Sequence, residues 1–172
     1  QLKMGLIFAK SEPQYVVTTI PLADVDLNIP PQAENHTETI IRPVPDDIHV
    51  MALMAHMHVR GKAFSFELIT PDGKTETLLD IPRYDFNWQI RYGYRETKLL
   101  PKGSRVKVTA VFDNSQNNPA NPDPTETVHW GEQTHEEMLI GYFETFAPVG
   151  APRPTMLRGA GAGGGLFTLL DA

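Results

Sequence analysis

Cysteine is missing altogether from these 172 residues. That absence removes disulfide scaffolds, thiolate zinc sites, iron–sulfur clusters and cysteine nucleophiles from consideration. Positive charge is scarce: 15 lysines and arginines face 21 aspartates and glutamates, for a net charge of −6, and no basic run occurs. The electrostatic footprint of a nucleic-acid-binding protein is therefore lacking. Apolar runs stop well short of the roughly 18 residues that a membrane span needs, and no secretory leader is recognisable. Helical periodicity is lacking too, since no window of roughly 11–18 residues carries an apolar stripe. No P-loop or nucleophile elbow occurs.

What is present suits one compact domain. At this length a single core buries roughly 70% of the unfolded surface, so no staple is needed for folding. Alternating apolar residues and β-branched runs recur with turn residues between them. They predict strands over 5–10, 15–22, 37–43, 50–60, 63–70, 76–81, 87–94, 105–113 and 137–146. Pro71-Asp72-Gly73-Lys74 and Pro101-Lys102-Gly103 read as tight turns between strands. Short strands at this spacing predict an all-β fold, an antiparallel, jelly-roll-like β-sandwich. Two segments break the pattern. Residues 113–136 form a long Asn/Pro-rich loop, expected to be an ordered excursion. From Pro148 to Ala172 the chain is rich in proline and glycine, expected to be an extended tail that ends in the apolar cluster Leu166, Phe167, Leu169 and Leu170. The chain opens at Gln1 inside an alternating segment, Leu2, Met4, Leu6 and Phe8, which reads as a processed or truncated chain.

Candidate chemistry concentrates on His56-Met57-His58. In a strand, residues two apart project from one face with Cα atoms roughly 7 Å apart, so both imidazoles can converge on one metal ion. Two solvent-facing or hydrogen-bonded histidines fit that spacing equally well. Met138 opens the last predicted strand, where a methionine ordinarily packs in the core. Glu136 and Glu137 read as carboxylates solvating the strand end. Asp113, Asn117, Asn121 and Asp123 offer hard oxygens for calcium, but the glycine and glutamate of an EF-hand loop are missing, and a solvated Asn/Pro loop is the competing reading.

The words around these residues decide between the readings. His56-Met57-His58-Val59-Arg60-Gly61-Lys62 resembles the H-x-H-x-x-G-K strand of the copper type II, ascorbate-dependent monooxygenases, and the bacterial members are more similar still. They share Ile81-Pro82-Arg83-Tyr84-Asp85-Phe86-Asn87-Trp88-Gln89, Phe112-Asp113-Asn114-Ser115, and Trp130-Gly131-Glu132-Gln133-Thr134 followed by Glu136-Glu137-Met138. The resemblance covers about residues 1–146 and is to the second, C-terminal domain of the family. It implies that His56, His58 and Met138 ligate one copper ion at the site where dioxygen is activated. Imidazole suits either copper oxidation state and a thioether favours Cu(I). It also implies that residues 1–34 are the last strand of a preceding domain plus a linker, that 35–147 form the sandwich, and that 148–172 are a tail. The three histidines of the family's electron-relaying copper have no counterpart here. Two functions follow as expectations. One is a non-catalytic accessory subunit, with or without copper on His56, His58 and Met138, that docks through its tail on a larger periplasmic or extracellular redox complex near a membrane surface. The other is the oxygen-activating half of a monooxygenase that hydroxylates a C–H bond, with the first copper supplied elsewhere.

Overall fold

The computed structural model describes residues 1–151. Strands form where apolar residues alternate, because only then does one face of a strand leave water while the other stays solvated. The strands are β1 (Tyr15–Ala23), β2 (Asn28–Ile29), β3 (His36–Pro43), β4 (Ile48–His56), β5 (Gly61–Ile69), β6 (Thr75–Ile81), β7 (Tyr92–Leu100), β8 (Arg105–Phe112), β9 (Val128–His129) and β10 (Ile140–Pro148). β1-β10-β4-β7 make one antiparallel sheet, β3-β8-β5-β6 the other, and β2 pairs with β9 between loops. The chain is thus an all-β sandwich, as its patterning predicts.

The core lies between the two sheets. Phe64, Phe66 and Leu68 of β5 and Val106, Val108 and Phe112 of β8 meet Ile20, Leu53 and Phe143 of the opposing sheet. Phe66 bridges the two layers, its ring 5.0 Å from that of Phe64 and 5.4 Å from that of Phe143. Gly141 marks the closest approach, since a Cβ there would stand 2.8 Å from the Phe66 ring and 3.1 Å from Val108.

β4 carries the feature that decides which face the histidines occupy. Its pairing with β10 skips a residue, Glu144 facing Ala52 and Thr145 facing Val50, so Met51 is the extra residue of a β-bulge. Before the bulge, Ile48 and Val50 enter the core; after it, Leu53 and Ala55 do. Without that change of phase the even-numbered histidine would turn inward. With it, Met54 and His56 lie on the outer face, opposite the core.

Four expectations need correction. Residues 1–14 form no strand, and Leu2, Met4, Leu6 and Phe8 are exposed, Phe8 by 80%. A strand needs a ladder partner, and none is present among the described residues. The strand expected over 87–94 instead runs from Tyr92, because Asp85 caps a turn through the main-chain N–H groups of Asn87 and Trp88. β4 ends at His56, short of the expected Arg60. Pro148 still belongs to β10; beyond Ala151 the expected tail lies outside the described residues.

Candidate metal centre

His56 and His58 do come together, though not as neighbours on one strand face. β4 stops because the hydroxyl of Tyr84 takes both main-chain groups of Met57, accepting from its N–H at 2.9 Å and donating to its carbonyl at 2.7 Å. The Met57 side chain drops into the core, and His58 follows in a loop. Gly61 makes room for this arrangement: a Cβ there would lie 2.7 Å from the Tyr84 ring and 2.9 Å from the Met57 side chain. The two imidazoles end with ring centroids 5.3 Å apart and planes at 85°.

A buried carboxylate holds the loop. Glu137, 0% exposed, accepts the main-chain N–H of His58 at 2.7 Å, of Arg60 at 2.7 Å and of Met138 at 3.1 Å. One side chain therefore ties the histidine loop to the backbone of Met138, across 79 residues of sequence. Burial pushes the Glu137 carboxyl up to about 7, against the pull of its three N–H donors and the Arg60 guanidinium. The expectation that Glu137 merely solvates a strand end is wrong; the signal against it is a carboxylate set directly before the apolar run Met138-Leu139-Ile140. Arg60, itself buried, donates from Nε to Asn114 Oδ1 at 2.9 Å and from Nη1 to the carbonyl of His135 at 2.8 Å. Asn114 in turn donates to the carbonyls of Pro30 and Glu126, which fastens the long loop to the same network.

That loop is ordered, as expected, and its acidic side chains hold its own turns. Asp113 caps the N–H of Ser115, Asp123 accepts from the N–H and hydroxyl of Thr125, and Asn117 donates to Glu34. Asp113 and Asp123 thus each direct one carboxylate oxygen to the loop itself, whereas Asn117 engages through its NH₂ group and the buried Oδ1 of Asn121 has no partner among the described residues. Among the described residues no three His, Cys, Asp or Glu side chains are grouped to hold a metal ion. The remaining donor set is the mixed one of two imidazoles and a thioether.

The chemistry of that set fits copper. His58 is 5% exposed, and burial lowers its pKa, which favours the neutral, ligating form. Its Nδ1 lies 3.2 Å from the carbonyl of Glu136, an atom that can only accept, so Nδ1 carries the proton and Nε2 keeps its lone pair. Met138 is 9% exposed, and its main-chain N–H ends on the same Glu137 carboxylate as that of His58. Of the other histidines, His36 pairs with Glu38 at 2.7 Å and His49 packs on Phe146, away from this cluster. Beside His56, on the outer face of the sheet, lies a groove of about 260 Å³ lined by Thr19, Met54, Tyr142 and the ion pair of Arg91 with Glu144.

No curated protein matches the chain. Among solved structures, one likeness covers 84% of this chain and 33% of a chain in the structure of infectious bursal disease virus Gt strain, at 11% identity and a TM-score of 0.26. A second covers 80% of this chain and 36% of a family two carbohydrate esterase from Cellvibrio japonicus, at 14% identity and a TM-score of 0.23. This chain spans about a third of each, and at such scores neither likeness bears on fold or function. The family comparison is different in kind: the copper type II ascorbate-dependent monooxygenase C-terminal domain matches residues 16–152, most of the chain. The chain belongs to that family, as its C-terminal domain.

Proposed function

We propose that this domain is the oxygen-activating half of an ascorbate-dependent copper monooxygenase, holding one copper ion on His56, His58 and Met138. One observation carries the reading: two imidazoles stand 5.3 Å apart with both Nδ1 atoms already hydrogen-bonded, which leaves both Nε2 atoms for a metal. When bound, copper at a set of two imidazoles and one thioether supplies one-electron redox chemistry and an open position for dioxygen or water. The chain's own residues do the rest. Glu137 fixes the loop that carries His58 and the backbone of Met138. The groove beside His56 receives the substrate whose C–H bond is hydroxylated. Within it, burial raises the pKa of Tyr142, so the phenol stays protonated and able to donate a hydrogen bond. Arg91 and Glu144 neutralise one another there.

Monooxygenation consumes two electrons and one copper delivers one, so this reading requires an electron-relaying partner domain. A periplasmic or extracellular setting belongs to the same proposal. It agrees with the habit of the family, and among the described residues no helix is long and apolar enough to cross a membrane. The accessory reading, with docking on a larger complex near a membrane surface, draws on residues 148–172, of which only 148–151 are described. The histidine geometry fits both readings, since an accessory domain can keep its copper, and oxygen uptake coupled to product formation in the presence of the relay domain separates them.

Copper titration of the full chain against a competing chelator tests it, with Cu(II) EPR alongside. One tight copper is expected. His56→Ala and His58→Ala each weaken it by more than about 100-fold, beyond the loss typical of an outer partner. Met138→Leu weakens Cu(I) more than Cu(II). Copper binding that all three substitutions leave unchanged overturns the assignment.

A further inference from the structure

Gln89 occupies the second shell of the candidate metal centre. Its Oε1 lies 2.6 Å from His56 Nδ1, and its Nε2 lies 2.9 Å from the carbonyl oxygen of Phe86. The two contacts are logically linked. A main-chain carbonyl only accepts, so the amide end that faces Phe86 must be the NH₂ group. The opposite end, facing His56, is then the carbonyl oxygen, which also only accepts. His56 Nδ1 must therefore carry the proton. The remaining ring nitrogen, Nε2, keeps a free lone pair.

The loop that makes this arrangement is itself fixed. Asp85 Oδ1 accepts the N–H of Asn87 at 2.8 Å, and the Asp85 carbonyl accepts the N–H of Trp88 at 2.9 Å. The Phe86 carbonyl is thereby held where Gln89 can reach it. Directly before that turn, Tyr84 grips Met57, between the two histidines. One short segment thus sets both the backbone path and the proton position of the site.

We propose that Gln89 is a positioning residue that locks His56 in its Nδ1–H tautomer and so presents Nε2 for coordination. This rests on the copper reading above for its purpose, but not for its geometry. The lock operates in the metal-free protein, where imidazole tautomers otherwise exchange and a ligating nitrogen is masked by its own proton part of the time. Outer partners of this type typically change metal affinity by about 10–100-fold.

The experiment uses the full, metal-free chain, uniformly ¹⁵N-labelled, at about pH 8, where unperturbed histidines are neutral. Long-range ¹H–¹⁵N spectra distinguish the two tautomers, and comparison with His56→Gln assigns the resonances. The wild-type chain is expected to show protonated Nδ1 and bare Nε2 at His56. Gln89→Leu is expected to shift the population toward Nε2–H and to weaken copper binding about 10–100-fold. Gln89→Glu, whose carboxylate can only accept from Nδ1–H, is expected to restore both. A wild-type His56 protonated at Nε2 overturns the inference outright, with no variant needed. So does a Gln89→Leu protein whose tautomer and copper affinity are unchanged. A wild-type chain that shows the lock yet binds no copper supports the inference and overturns the copper reading, so the two failures are distinguishable.

Discussion

Glu137 is the residue on which the candidate centre turns, because three main-chain N–H groups from two separated segments end on its carboxylate. Replacing it with glutamine keeps the volume but sets an NH₂ group against at least one of those donors. An unsatisfied buried donor costs about 1–3 kcal/mol, more where charge is involved. Glu137→Gln is therefore expected to lower the unfolding free energy by roughly 3 kcal/mol, measured as a drop in the urea midpoint at unchanged m-value. Gly61 and Tyr84 form a second coupled pair. Gly61→Ala forces a methyl against the Tyr84 ring, and Tyr84→Phe removes the hydroxyl that grips Met57. Each change releases the same clamp. Their effects on stability, about 1–3 kcal/mol singly, are expected to fall short of additive in the double variant by at least about 0.5 kcal/mol. Full additivity in a double-mutant cycle would show that the glycine serves something other than the clamp.

At the scale of elements, the bulge in β4 gives a sharp expectation. Met51 is the unpaired residue, so deleting it straightens the strand without exchanging its faces: Leu53 and Ala55 still enter the core, and His56 still points outward. Deletion of Met51 is expected to leave copper affinity within a few-fold of wild type in the same chelator titration. Loss of binding in a folded deletion variant would place the extra residue elsewhere. The strands that could be read in the sequence are those whose alternation reflects burial on one face: β5 with Phe64, Phe66 and Leu68, and β8 with Val106, Val108 and Phe112. β7 is obscured because it is an edge strand, and its Arg95, Glu96 and Thr97 are all exposed, which breaks the alternation. Residues 5–10 misled for the converse reason, showing alternation without a partner strand. The end of β4 could not be read locally, since Tyr84 imposes it from 27 residues away. The pairing of His56 with His58 is legible through the words around them. Glu137 and Gln89 are not, because what defines them is the atom they touch.

For the whole molecule, the copper reading links folding to metal binding, since only the closed sandwich brings the histidine loop to the backbone of Met138. Copper at 100 times its dissociation constant is expected to add about 2.7 kcal/mol of stability, or roughly 2–4 °C in Tm for each kcal/mol in a domain of this size. Chelation should remove that increment. The double substitution His56→Ala, His58→Ala should abolish it, as thermal unfolding followed by circular dichroism will show. A copper-dependent shift that survives the double substitution would locate the metal elsewhere on the chain. The span between His58 and Glu137, 79 residues, also has a meaning in time. At a synthesis rate of roughly 5–20 residues per second, about 4–16 s pass between the emergence of the histidines and that of the carboxylate that sets their loop. Throughout that interval the growing chain carries His56 and His58, with Met54 and Met57 beside them, on a backbone that Glu137 has not yet set. On the copper reading, the final geometry of the site is thus postponed until the last strand closes.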